Sequence, residues 1–150
     1  LEACRELGTT LVAFAPLARG FLADAIDDPA QFAPRDIRRG MPRFQPSHFA
    51  VNQRLLAHYR ALAQEAGCLP SQLALAWLLQ KSPEVVPIPG TTSVTHLEEN
   101  AAASALHLDA GLVARLEALI NQDTVSGARY QPETLLEIDT EEFAARERAK

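Results

Sequence analysis

The sequence predicts an α/β fold built on a parallel sheet, and three observations carry that expectation. Two short apolar runs, residues 9–15 and 85–88, contain β-branched side chains and do not alternate with polar ones. Such runs suit strands buried on both faces of a parallel sheet. The stretches between and after them carry apolar residues at helical spacing. Helices alternating with unalternating apolar strands are the pattern of an α/β domain.

Taken in order, the chain opens on Leu1-Glu2-Ala3-Cys4-Arg5-Glu6-Leu7, which reads as helix already in progress and closed by Gly8. Glycine just past a last turn accepts the left-handed conformation and stops a helix. An uncapped opening points either to a missing beginning or to a processed start. The first strand follows over 9–15 and is ended by Pro16, with Gly20 freeing the next turn. Residues 24–48 are rich in Pro, Asp and Arg without a sustained period, and read as a long loop holding at most a short helical turn. A helix over 50–66 places Leu55, Leu56, Tyr59, Leu62 and Ala63 on one face and ends at Gly67. Pro70, pre-organised for a first turn, starts a helix over 70–80 whose apolar residues nearly encircle the axis. The second strand, 85–88, ends in Pro89-Gly90. Ser93 or Thr95 caps a helix running to about 104, and Asp109 caps a last amphipathic one. Residues 140–150 form a charged tail. Two parallel strands cannot bury both of their faces, so the expectation is a piece of a larger domain.

Composition removes several classes of function. A net charge of −5 argues against a general nucleic-acid binder, which is usually basic. No apolar run reaches spanning length, so no membrane partner is expected. Cys4 and Cys68 make neither a disulfide framework nor a zinc pattern, and read as two reduced thiols of a cytoplasmic protein.

Three segments together resemble the aldo-keto reductase family, TIM-barrel carbonyl reductases that use a nicotinamide cofactor. Val12-Ala13-Phe14-Ala15-Pro16-Leu17-Ala18-Arg19-Gly20 is similar to the family's seventh strand and following loop. Gln72-Leu73-Ala74-Leu75-Ala76-Trp77-Leu78-Leu79 is similar to its seventh helix. Val86-Pro87-Ile88-Pro89-Gly90-Thr91-Thr92, leading to His96-Leu97-Glu98-Glu99-Asn100, is similar to its eighth strand and the helix bearing the adenosine site. The resemblance runs from Leu1 to about Asp139. It implies that residues 1–150 are the C-terminal part of one (β/α)8 barrel domain, namely the last two βα units plus a C-terminal extension.

In such barrels functional groups gather at the C-terminal ends of the strands, with phosphate sites after strands seven and eight. A Gly-containing turn lets backbone N–H groups approach phosphate oxygens, and a helix N-terminus adds unpaired donors and a favourable dipole. The cofactor-binding residues implied are therefore Phe14, Ala15, Pro16, Leu17, Ala18, Arg19 and Gly20 at the first end. At the second end they are Gly90, Thr91, Thr92, Ser93 and His96, with Glu99 and Asn100 toward the adenine edge. For Arg19 the residues leave two roles open, pairing with a pyrophosphate or with a surface acid. For Arg35, Arg38, Arg39 and Arg43 they leave a solvated charge run or a clasp over the dinucleotide. His96 and Glu99, three apart, lack a second ligand pair for a metal.

The chain departs from the family pattern at four positions. Ala15 stands where Ser is common, His96 where many members have Arg, and Gly90 where some have Lys. The cofactor implied is NADPH, with NADH also admitted. Leu69 occupies a usual Thr or Ser cap, so that helix start should be weak. The family's catalytic Asp, Tyr, Lys and His lie in the N-terminal portion of the barrel and match nothing here, so no catalytic residue and no metal ligand is assigned. Tyr59, Tyr130 and Lys81 fall on segments matching non-catalytic parts. The expectation is thus a fragment of an NADPH-dependent oxidoreductase of aldehydes or ketones. It needs the missing N-terminal barrel part, takes a small carbonyl substrate in the intact enzyme, and is inactive alone. The alternative is a non-catalytic nucleotide-binding or partner-dependent barrel remnant.

Overall fold

The structure, a computed structural model, describes residues 1–137; the charged tail expected at about 140–150 lies outside the described residues. Helix α1 (Glu2–Leu7) ends at Gly8, whose φ of 61° is the left-handed stop read from the sequence. Strands β1 (Leu11–Phe14) and β2 (Val85–Ile88) pair in parallel, Leu11 opposite Val85 and Phe14 opposite Ile88. The connection between them carries α2 (Pro46–Glu65) and α3 (Pro70–Lys81). After β2 come α4 (Val94–Ala102), α5 (Ala110–Leu119) and the short α6 (Pro132–Leu136).

Side chains alternate across the two strands, and the alternation divides the sheet. Val85 is buried on the helix side, where Ala13 lines an apolar cavity with Tyr59, Leu73 and Trp77. On the opposite side Val12, Phe14 and Ile88 are 53%, 52% and 51% exposed. Apolar strands suited to burial on both faces thus have only one face covered here, as two strands alone cannot bury both. Helices cover one face of the pair, and the other stays largely exposed, with the Arg129 guanidinium over the Phe14 ring at 4.6 Å.

The main core lies where α2, α3 and α5 meet, around Leu56, Tyr59, Leu73, Ala76, Leu112 and Leu116. The Tyr59 hydroxyl donates to the Pro70 carbonyl at 2.7 Å, and burial pushes its pKa up. Trp77 is only half-buried, with the Lys81 ammonium over its ring at 4.7 Å. Helix α2 begins four residues earlier than its apolar period suggests, because Pro46 supplies a ready-made first turn. Leu69 proves a better helix start than its side chain implies: its backbone N–H donates to the Gln72 carboxamide oxygen at 3.0 Å. That is one half of a capping box, supplied from inside the helix. Ser93, of the two candidates, caps α4, its hydroxyl accepting from the His96 N–H. Asp109 caps α5 as expected.

The Pro-rich stretch between β1 and α2 is not structureless. It folds as short 3₁₀ turns at Pro29–Gln31, Ile37–Gly40 and Pro42–Phe44, the first two capped by the carboxylates of Asp28 and Asp36. A satellite core of Ile26, Phe44 and Phe49 sits beneath them, with Phe21 edge-on to Phe49 at 5.9 Å and Phe32 edge-on to Phe44 at 5.6 Å. Aromatic pairs in these geometries add to plain area burial, which is how a segment without helical period stays ordered. No helix among the described residues is long and apolar enough to cross a membrane.

The open face of β1 and β2, together with their unpaired edges, gives the first testable expectation. The isolated 150-residue chain should self-associate as its concentration rises, read by sedimentation velocity. A monomer whose thermal unfolding is sharp and independent of concentration would overturn it.

Candidate functional site

Parallel pairing puts the C-terminal ends of β1 and β2 side by side, so the turn 15–20 and the segment 89–93 open at the same end of the sheet. Between them lies a cavity of about 310 Å³. Its walls include Ala15, Pro16, Leu17, Arg19 and Gly20 from the first end, and Gly90, Thr91, His96, Glu99 and Asn100 from the second. Most of the predicted binding residues are thus brought together. Four are not. Phe14 lies on the exposed face of the sheet under the Arg129 guanidinium, Ala18 lines a separate cavity, and Thr92 and Ser93 stand outside the lining.

The turn after β1 is strained. Ala15, Ala18 and Arg19 all take positive φ, 49°, 49° and 58°, and only Gly20, at 94°, does so without a steric penalty. Each such non-glycine residue costs on the order of 1 kcal/mol or more, so the surroundings must hold the turn in place. They do so through hydrogen bonds inside the turn and one long-range tie. The Ala18 N–H donates to Ala15, and the Gly20 and Leu22 N–H groups both donate to Leu17. The Arg38 guanidinium then donates to the Arg19 carbonyl at 3.1 Å. Arg38 is itself fixed by Asp36, at 2.6 Å, and by the Phe32 ring beneath it at 4.1 Å. The Arg38 guanidinium and N–H hold the Asp36 carboxyl down to about 2. Within the turn, the Leu17 and Arg19 N–H groups have no acceptor among the described residues. Both residues line the cavity, and unpaired backbone N–H groups in a tight turn are donors suited to an anion.

At the second end the space is open. A Cβ built on Gly90 meets nothing within 4 Å, so the backbone there can be approached closely. Thr91 accepts from the Ser93 N–H at 3.1 Å, and Ser93 then caps α4. The His96 side chain is exposed, while Glu99 and Asn100 are half-buried. Helix α4 is docked on α3 by Gln72, whose amide donates to the Glu99 carbonyl at 3.0 Å. One side chain therefore both starts α3 and sets the position of the Glu99–Asn100 edge.

Several residues turn out differently from their sequence reading. Ser71, Ala23 and Ala25 also line the cavity; the only trace of Ser71 in the sequence is its place in the first turn after Pro70. Of the four arginines of the long loop, Arg35 is exposed without a hydrogen-bond partner among the described residues, and the other three hold backbone carbonyls. Arg38 and Arg39 donate to carbonyls of the turn and of Phe32, and Arg43 donates to Gly127. The Arg19 side chain forms no ion pair among the described residues and rests over the Tyr130 ring at 5.8 Å. Tyr59 is committed to Pro70 and Lys81 pairs with Glu117. Among the described residues no cluster of three or more His, Cys, Asp or Glu side chains could hold a metal.

With that geometry established, likeness to known proteins is informative. The family model described as Aldo/keto reductase family matches residues 1–121. Aldo-keto reductase yakc of Schizosaccharomyces pombe, whose name carries NADP(+), is 40% identical over 132 residues, covering 88% of this chain and 39% of that protein. Aldo-keto reductase str7 of Strobilurus tenacellus is 35% identical over 143 residues, covering 95% and 43%. Among solved structures, the thermostable aldo-keto reductase Tm1743 in complex with the inhibitor epalrestat superposes with a TM-score of 0.50 at 28% identity, over 79% of this chain and 32% of that one. The chain thus spans about two fifths of the length of the curated relatives it matches, and its α/β content fits a piece of a TIM barrel. By these matches, the chain belongs to the aldo-keto reductase family.

Proposed function

We propose that this chain is the C-terminal part of an NADPH-dependent oxidoreductase that reduces aldehydes or ketones, comprising the seventh and eighth βα units of the barrel and its C-terminal extension. The observation that carries the reading is the 310 Å³ cavity between the two strand ends, where a strained, donor-bearing turn stands across from Gly90, Thr91 and the His96–Asn100 stretch of α4. The residues present fit a dinucleotide. Free N–H groups at Leu17 and Arg19 suit the pyrophosphate, and the open backbone at Gly90 admits close approach. Ser71, Thr91 and His96 offer polar contacts to the ribose and its phosphate, and Glu99 and Asn100 offer an acceptor and an amide to the adenine edge. Bound there, the cofactor supplies hydride, and the protein's contribution is to position it.

In this reading the chain carries no member of the family's catalytic tetrad. Its own residues bind and orient. Asp36 and Arg38 hold the turn in its binding conformation, and Gln72 holds the adenosine edge. The preference for NADPH over NADH rests on His96 in place of the common Arg. The open sheet face also supports a partner-dependent remnant as a second reading, because a chain with half its sheet surface uncovered needs something against it.

The 150-residue chain should bind NADPH, seen by isothermal titration, yet oxidise none of it with a panel of aldehydes. Turnover abolished by a substitution within residues 1–150 would overturn the assignment. Replacing the exposed His96 side chain by Arg should widen the preference for NADPH over NADH by about tenfold, the scale of one charge-assisted contact; equal gains for both dinucleotides would place the 2′-phosphate elsewhere. Asp36→Asn should release Arg38 and speed amide exchange across residues 18–22 at pH 7. The Asp36 pKa lies below its unfolded value of about 3.8. Its contribution is therefore present above that value and fades as pH falls toward about 2, where wild type and variant should converge. Identical exchange of the two proteins at pH 7 would remove Asp36 from the support of the turn.

A further inference from the structure

Behind the turn 15–20, on the side away from the dinucleotide cavity, lies a second cavity of about 320 Å³. Ala15 and Arg19 line both, so the turn is their common wall. The second cavity is largely carbon: Phe44 comes from the long loop, Leu55 from α2, and Ile120 and Val125 from the C-terminal segment. That segment is clamped in place. The Asn52 carboxamide donates to the Ser126 carbonyl at 3.0 Å and accepts from its N–H at 2.8 Å, and His48 meets the Ser126 hydroxyl at 2.8 Å. Gly127 passes so close that a Cβ there would lie 3.0 Å from the His48 ring.

Three arginines, Arg19, Arg43 and Arg129, line this cavity, and no acidic residue does. None of the three has an ion-pair partner among the described residues, whereas Arg38, Arg60 and Arg115 all do. Arg43 is half-buried, and burial together with the positive charge of Arg129 lowers its pKa from the ordinary guanidinium value. Its Nε donates to the Gly127 carbonyl at 3.2 Å, which satisfies one of five donors. Arg129 lies over the Phe14 ring at 4.6 Å and the Tyr130 ring at 5.4 Å. These ring contacts position the cations without neutralising them. Like charges gathered at a partly dry wall create a positive field, and a guanidinium fork matches a carboxylate.

We infer that this cavity binds an apolar compound bearing a carboxylate, with the carboxylate at Arg43 and Arg129 and the apolar body against Phe44, Leu55 and Val125. Taken together with the oxidoreductase reading, on which this part rests, it names the substrate class: an aldehyde or ketone that also carries a carboxylate, as in an aromatic or long-chain oxo acid. A bare phosphate would leave the carbon walls with nothing to cover, so the apolar body is as much a part of the inference as the charge.

The test uses the 150-residue chain and four probes, benzoate, benzyl alcohol, inorganic phosphate and NADPH, in isothermal titrations. Benzoate should bind about tenfold more tightly than benzyl alcohol, a difference of one charge-assisted contact. Arg129→Gln should bring benzoate to the level of benzyl alcohol, and Arg129→Lys should keep part of the difference. Arg129 is exposed and donates to no acceptor among the described residues, so these substitutions leave the fold intact, which circular dichroism checks. Arg43→Gln should act in the same direction. Equal binding of benzoate and benzyl alcohol, or benzoate binding indifferent to both Gln substitutions, would overturn the inference. So would competitive displacement of benzoate by phosphate or NADPH, which would give the arginines to the cofactor. A chain that binds NADPH but not benzoate loses this inference alone. One that binds benzoate but not NADPH keeps the carboxylate site and loses the oxidoreductase reading.

Discussion

The parallel pairing of two four-residue strands is the constraint on which the rest of this structure depends. Because Leu11 lies opposite Val85 and Phe14 opposite Ile88, both strands finish at one end, and whatever follows each must emerge there together. The two segments are some seventy residues apart in sequence, and a parallel connection of that kind has to return along the sheet through helices. Here α2 and α3 make the return, and their packing against α5 forms the core that keeps the strands in register. A slip of one residue would exchange the covered and open faces of the pair. It would also move Ala15 and Pro89 out of alignment and close the cavity between them.

The turn after β1 shows how such a site is held. Three non-glycine residues in the left-handed region are unfavourable in any isolated chain. They persist because hydrogen bonds within the turn, and the Asp36–Arg38 pair behind it, favour that one conformation over the alternatives. The long loop therefore serves the site from behind rather than from above. Its arginines reach inward to backbone carbonyls, and its aromatic side chains build a small core of their own. The same logic operates at the other end, where Gln72 satisfies an orphan N–H of α3 and steadies α4 with the opposite end of one amide.

Electrostatics differ on the two sides of the turn. The cavity between the strand ends offers mostly neutral donors, namely backbone N–H groups and the hydroxyls of Ser71 and Thr91. The cavity behind the turn is lined by three arginines and by apolar side chains, with no acidic residue. Arg19 borders both cavities but turns its guanidinium toward Tyr130.

Much of the local structure was legible in the sequence. Gly8 as a helix stop, Asp109 as a cap, Ser93 or Thr95 as the cap of α4, and the apolar girdle of α3 are matters of nearest-neighbour chemistry, which a residue carries wherever it is placed. So is the family likeness, because the segments around Pro16, Trp77 and Gly90 each keep a recognisable order of side chains. What the sequence could not decide was everything that depends on residues meeting from far away. That Arg38 fastens the Arg19 carbonyl, that Asn52 and His48 clamp Ser126, and that Arg43 and Arg129 share one wall all follow from contacts between segments 19 to 86 positions apart. Nor could an apolar run reveal that one of its faces stays open, since hydrophobicity records what a strand would bury and not what is there to cover it. Composition and spacing determine the elements; only the parallel pairing and the packed core determine which of their ends and faces meet.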